Sequence, residues 1–138
     1  MTNRCLDLIV KDHSPVTLAP DDTIRSGCEA MRERSVGAVL IVEGGRLAGI
    51  LTGRDIVRAI ADGRDPGTPL AMVMTPDPDT IAGECTAIDA LRMMSDGGYR
   101  HLPIIDDGTI VGVVSRGDFK GLELDRLEEE TCLWERIS

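Results

Sequence analysis

At 138 residues the chain has the length of one domain, or of two half-domains sharing a core, since about 60 residues alone bury too little surface to be comfortable. Its 15 Lys and Arg against 24 Asp and Glu give a net charge of −9, and Trp134, Tyr99 and Phe119 are its only aromatics, which together exclude a nucleic-acid partner held by phosphate contacts or base stacking. Cys5, Cys28, Cys85 and Cys132 show no metal-ligand or redox spacing, residues 1–11 do not read as a signal peptide, and no apolar run approaches a membrane span, so a soluble, cytoplasmic protein with no membrane partner is expected.

In chain order, a short strand around Val16–Thr17–Leu18 is closed by Pro20-Asp21-Asp22. Thr23 then caps a predicted helix whose apolar positions Ile24, Gly27, Cys28 and Met31 follow the i, i+3, i+4, i+7 pattern. Two apolar runs, residues 39–42 and 47–51, flank the turn Glu43-Gly44-Gly45-Arg46 and predict a hairpin. A second helix is expected over residues 55–61, and the Gly- and Pro-rich residues 62–69 read as a linker.

The same order then returns. Thr86 caps a helix with Asp89 at its third position and Ala87, Ala90, Leu91 and Met94 on one face. A hairpin over residues 102–105 and 110–114 turns at Asp106-Asp107-Gly108-Thr109, and a weaker helix follows Asp118. Residues 122–137 predict an amphipathic helix, with Leu124, Leu127, Thr131 and Trp134 on one side and Glu128-Glu129-Glu130 on the other, which either packs on its own domain or forms a dimer contact.

The recurrence is a repeat at a constant offset of 63 residues. Gly49-Ile50-Leu51-Thr52-Gly53-Arg54-Asp55 becomes Gly112-Val113-Val114-Ser115-Arg116-Gly117-Asp118, Thr17-Leu18-Ala19 becomes Thr80-Ile81-Ala82, and Ile41-Val42 becomes Ile104-Ile105. A unit of this length present twice predicts two related half-domains of β-α-β-β-α order, an α/β (α+β) fold packed through its sheets about a pseudo-twofold axis.

Each repeat ends its hairpin on S/T-x-x-D, at Thr52/Asp55 and at Ser115/Asp118. Such a junction serves as a helix cap, the hydroxyl accepting from an orphan N–H and the carboxylate favouring the positive helix end. The same geometry suits a nucleotide. Free N–H groups and a hydroxyl meet a phosphate, an ionised Asp matches the two hydroxyls of a ribose, and Arg54 and Arg116 supply neutralising charge. The repeats differ just before the hairpin: Tyr99-Arg100-His101 forms a candidate phosphate clamp in repeat two, whereas Val36-Gly37-Ala38 removes bulk in repeat one and leaves room for a flat ring.

These elements resemble a tandem pair of cystathionine-β-synthase (CBS) domains, the unit called a Bateman module. The resemblance rests on the two Gly-to-Asp heptads, on Val73-Met74-Thr75-Pro76 entering repeat two, and on Arg100-His101-Leu102-Pro103-Ile104. It covers residues 8 to 124, with repeat one at 8–66, repeat two at 71–124 and a C-terminal helix at 125–138 left unexplained. The resemblance implies a regulatory homodimer that binds adenosine ligands (AMP, ADP, ATP, NAD or S-adenosylmethionine) in clefts between the repeats and signals to an effector protein. It also implies that Asp55 and Asp118 hold ribose hydroxyls, that Thr52 and Ser115 bind phosphate or ribose, that Arg100 and His101 clamp phosphate, and that backbone at Val16, Thr17 and Tyr99 lines the adenine.

Two departures from the family pattern, Lys11-Asp12-His13-Ser14 at the entry to repeat one and Gly37-Ala38 in place of the basic pair, favour repeat two as the nucleotide site. With no Ser/His/Asp, Cys/His, P-loop or GxGxxG constellation, the chain is not expected to be an enzyme. The alternative function is a structural or protein-interaction dimerisation module whose caps are only caps.

Overall fold

The computed structural model describes residues 4–10 and 15–119. The expected C-terminal helix, the Lys11-Asp12-His13-Ser14 departure, Cys132 and the helix expected beyond Phe119 lie outside the described residues. The elements run α1 (Leu6–Val10), β1 (Thr17–Leu18), α2 (Ile24–Arg34), β2 (Ala38–Glu43), β3 (Arg46–Thr52), α3 (Gly53–Ala61), β4 (Thr75–Pro76), α4 (Ala87–Gly97), β5 (His101–Asp106) and β6 (Thr109–Ser115), with 3-10 turns at Leu70–Met72 and Arg116–Asp118. They form two compact units, one containing described residues 15–79 and the other 4–10 with 80–119.

In the unit of repeat one, β1 runs parallel to β2, β2 pairs antiparallel with β3, and β3 with β4. The hairpin turn is the two-residue loop Gly44-Gly45, with φ of 58° and 77°. Two consecutive left-handed residues match the right-handed twist of the flanking strands, and glycine adopts them without steric cost. Val39, Ile41, Leu51 and Leu70 make the buried centre of this unit. The helix over it meets the sheet at Gly27, where an added Cβ would lie 2.6 Å from a Leu51 methyl carbon.

Cys28, expected on the apolar face of this helix, is exposed. The buried line runs instead through Ile24 and Gly27, with Ala30 and Met31 half-buried beside it. Gly27 lets the helix approach so closely that this narrow stripe makes the contact and Cys28 falls outside it. Its counterpart Leu91 is fully buried in α4.

In the unit of repeat two, β5 and β6 form the hairpin, turning on Asp107 (φ 50°) and Gly108 (φ 77°). The strand expected at Thr80–Ile81 is reduced to a single parallel bridge between Ile81 and Ile104, the counterpart of the Leu18–Ile41 pair. Leu91, Met94, Leu102, Ile104 and Val114 are buried in the centre, with Phe119 at its end. Both hairpins shift register at the same place, between Ile41 and Val42 and between Ile104 and Ile105. The repeat therefore extends to backbone irregularities.

Each unit is completed by the segment that precedes the other repeat. Residues 62–69, read from sequence as a linker, turn back onto repeat one: Ile24 N–H donates to the Thr68 carbonyl at 3.0 Å, Leu70 N–H to Asp22 at 2.7 Å and Ala71 N–H to Pro20 at 3.0 Å. The N-terminal arm does the same for repeat two, with Ala87 N–H donating to Arg4 at 2.7 Å, Leu6 N–H to Cys85 at 2.9 Å and Asp7 N–H to Gly83 at 3.0 Å. Leu6 and Val10 are buried in that core. Val73-Met74-Thr75-Pro76, which the sequence places at the entry to repeat two, thus belongs physically to repeat one.

The two arms pack unequally over equivalent glycines. A Cβ on Gly49 would lie 2.5 Å from the Met74 sulfur and 2.8 Å from the Thr75 carbonyl oxygen, whereas one on Gly112 would lie 3.5 Å from Val10 Cβ, an ordinary contact. Gly49→Ala is expected to cost about 1–3 kcal/mol through overpacking against backbone. Gly112→Ala is expected to fall within about 0.5 kcal/mol of wild type. Urea denaturation midpoints of the two variants check this difference.

Candidate functional site

Both S/T-x-x-D junctions begin as helix caps. In repeat one Thr52 leaves β3 in an extended conformation (φ −118°, ψ 168°) and caps α3, which therefore starts at Gly53 rather than at Asp55 as the sequence pattern suggests. Asp55 N–H donates to Thr52 Oγ1 at 3.3 Å, and Thr52 N–H returns a bond to Asp55 Oδ2 at 2.9 Å. The Thr52 hydroxyl also donates to Oδ2 at 3.1 Å.

The other carboxylate oxygen of Asp55 is engaged as well. Thr75, carried in by the arm and paired with Ile50, donates its hydroxyl to Oδ1 at 3.0 Å. Arg58 lies 3.9 Å from the same oxygen, but its side chain is 65% exposed and the pair contributes little. At 4% exposure, Asp55 is the buried charged residue among the described ones, with both oxygens already accepting hydrogen bonds.

The junction of repeat two is built differently. Ser115 N–H donates to Asp118 Oδ2 at 2.8 Å, but the following segment is a single 3-10 turn, Arg116–Asp118, within the described residues. Asp118 is half-buried, and its Oδ1 accepts no hydrogen bond from any described residue. His101 is the direct cross-strand partner of Ser115, so both side chains stand on one face of the hairpin. Arg116 N–H donates to the Arg100 carbonyl at 2.9 Å, tying the start of β5 to the turn.

The local electrostatics follow from this grouping. Burial, then the neighbouring Arg100 guanidinium, hold the His101 pKa below its usual 6.5, while the Asp118 carboxylate pulls it partly back. His101 is thus predominantly neutral at pH 7 and close enough to both charges to respond to a third.

The remaining candidate residues divide between the units. Val16, Thr17, Gly37 and Arg54 lie with Thr52 and Asp55: the Val16 carbonyl accepts from Leu40 N–H at 2.9 Å, the Gly37 carbonyl from Gly53 N–H at 3.3 Å, and Thr17 and Arg54 are exposed. Tyr99 lies with the second junction, its ring folded over Gly97 at the end of α4 and its N–H donating to the Met94 carbonyl at 3.2 Å. Two further residues reach these junctions from the arms and carry no sequence signal for it. They are Thr75, bonded to Asp55, and Arg4, whose Nη2 donates to the Asp118 carbonyl at 3.1 Å. Among the described residues no group of three or more His, Cys, Asp or Glu is placed to hold a metal, and no helix is long and apolar enough to cross a membrane.

The doubled fold and doubled junction agree with a family model. That of the CBS domain matches twice, over residues 7–62 and 70–124. The chain belongs to the CBS-domain family. The matching model is that of a generally regulatory domain and names no catalytic family.

This CBS pair is 39% identical over 117 residues to the CBS domain-containing protein YhcV of Bacillus subtilis (strain 168), covering 84% of this chain and 81% of that one. It is 41% identical over 118 residues to the CBS domain-containing protein CBSCBSPB3 of Arabidopsis thaliana, covering 83% of this chain but only 21% of that much longer protein. The CBS domain protein PAE2072 from Pyrobaculum aerophilum, solved in complex with AMP, superposes with a TM-score of 0.82 over 91% of this chain and 99% of its own. At 24% identity that likeness is one of fold.

Proposed function

We propose that this CBS pair is a regulatory module that binds an adenosine ligand through repeat two, with AMP, ADP, ATP and NAD as the candidate ligands. One observation carries the reading: the repeat-two junction groups a half-bonded carboxylate, Asp118, with Ser115, His101, Arg100 and Arg116. Asp118 accepts the ribose hydroxyls, and Arg100 with His101 faces the phosphate. The fold is one that holds AMP in the Pyrobaculum protein, which makes such a ligand admissible without assigning it. The chain performs no catalysis and acts in the cytoplasm as a homodimer, passing the state of the site to an effector protein. The free thiols of Cys5, Cys28 and Cys85 suit a reducing compartment.

A titration with AMP, ADP, ATP and NAD tests this. At a ligand concentration about 100 times Kd the chain should gain about 2.7 kcal/mol of stability. For a phosphate-bearing ligand the affinity should also depend on His101. Bound phosphate favours the imidazolium, raising a pKa that in the free protein lies below 6.5. Binding therefore takes up a proton, and affinity gains from His101 as pH falls from the raised pKa of the complex to the lowered one of the free protein. The phosphate's own protonation near pH 6 opposes this, but His101→Gln shares that effect. The difference between the two pH profiles isolates the imidazole. No stabilisation by any of the four ligands at millimolar concentration would sink the proposal.

A second reading, that of a structural or protein-interaction module, is favoured by Asp55, which is wholly occupied within its own unit, and by the exposed Val57 and Ile60 on α3. It expects the same stability with and without nucleotide.

A further inference from the structure

Capping accounts for one oxygen of Asp55 and leaves the other to be explained. Among the described residues three aspartates close capping boxes, and in each the N–H of the cap residue donates to Oδ2: Thr52 to Asp55 at 2.9 Å, Thr86 to Asp89 at 3.0 Å and Ser115 to Asp118 at 2.8 Å. A box needs nothing more from the carboxylate. The bond from the Thr75 hydroxyl to Asp55 Oδ1, at 3.0 Å, is an addition, made by a residue 20 positions further along the chain.

That addition changes what Asp55 offers. Asp55 is buried while Thr75 is exposed, so the hydroxyl on Oδ1 belongs to the solvent-side member of the pair. A short strand holds it there. β4 pairs with β3 at two positions, Gly49 with Pro76 and Ile50 with Thr75, and Pro76 has no N–H to give to the ladder. As a part of the same chain, the hydroxyl is present at high effective concentration. A ribose diol arriving from solution meets Oδ2 already accepting from the Thr52 N–H and hydroxyl, and gains at Oδ1 only what Thr75 gives up.

We propose that Thr75 is a latch on repeat one: its hydroxyl occupies the carboxylate oxygen that a ribose would need, and so limits the chain to one nucleotide, at repeat two. The proposal rests on the nucleotide reading above and adds to it the residue that sets the number of ligands. Docking of β4 and filling of repeat one are then mutually exclusive, and a shift toward undocked β4 opens the second site.

Calorimetric titration of the full chain with AMP, in wild type, Thr75→Ala, Thr75→Ser and the double variant Thr75→Ala with Asp55→Asn, tests it. Wild type should bind one equivalent. Thr75→Ala should bind a second, at least about tenfold more tightly than any second event in wild type, the worth of one charge-assisted bond no longer opposed. Thr75→Ser keeps the hydroxyl and should bind one. Adding Asp55→Asn should take the second equivalent away again. Thr75→Val, which keeps the branched shape of a strand residue and loses only the donor, repeats the measurement should circular dichroism show Thr75→Ala unfolded. A folded Thr75→Ala or Thr75→Val chain that still binds one equivalent overturns the proposal, because the hydroxyl would then only fasten the arm. Two equivalents in wild type, in Thr75→Ser or in the double variant overturn it too, and all these results leave the nucleotide reading standing. One equivalent in Thr75→Ala and none in wild type removes the repeat-two reading but keeps the latch. AMP bound by no variant removes both.

Discussion

Asp118→Ala is expected to weaken AMP binding at least about 100-fold while the chain remains folded. An ionised carboxylate that accepts from two ribose hydroxyls makes two charge-assisted bonds, each worth about 1.5–3 kcal/mol, and alanine removes both. The cost to folding is smaller. Asp118 accepts one bond within its unit, from Ser115 N–H, and is half-buried, so the loss resembles that of a helix cap, about 1 kcal/mol. Calorimetry for the affinity and a urea midpoint for the stability separate the two effects. An Asp118→Ala variant that binds AMP as wild type does would remove Asp118 from the site.

Asp55→Ala is expected to do the reverse. Here the carboxylate is 4% exposed and accepts from Thr52 N–H, Thr52 Oγ1 and Thr75 Oγ1. Its removal takes away the returning half of the α3 capping box and the side-chain bond that ties the arm to the junction, leaving the Thr75 hydroxyl without its acceptor. The sum of a lost cap and a lost charge-assisted bond is about 2–4 kcal/mol. AMP affinity should stay within about twofold of wild type, because the proposed ligand site is the other junction. A shift in the urea midpoint without a change in affinity is the expected pattern. Loss of AMP binding in Asp55→Ala, with the fold retained, would show that the two junctions act alike and that the asymmetry drawn here is wrong.

These opposite expectations come from residues with the same sequence signature. Thr52/Asp55 and Ser115/Asp118 are indistinguishable by spacing, and both were legible as caps. The difference arises because Thr75 arrives at Asp55, a contact that the run Val73-Met74-Thr75-Pro76 does not announce. The contrast between Arg100-His101 and Gly37-Ala38 was legible in the sequence, but Arg4, which bonds the Asp118 carbonyl, was invisible, since a lone arginine carries no pattern. Thr23 and Thr86 were readable as helix starts because a cap acts within one turn. Cys28 was misplaced because helical period alone does not say how wide a stripe the packed face needs.

From its sequence alone this chain is determined to be a doubled CBS fold. The offset of 63, the capping residues, the Gly-Gly and Asp-Gly turns and the apolar strand runs each act over a few residues, and each agrees with the fold they build. Tertiary structure decided which arm completes which repeat, and with it which carboxylate is sealed. Those outcomes depend on contacts between residues far apart in the chain, 20 positions for Thr75 and Asp55 and 114 for Arg4 and Asp118. No local propensity encodes such a contact. It exists because burying Leu70 in one unit, and Leu6 with Val10 in the other, carries the neighbouring polar residues to the two junctions.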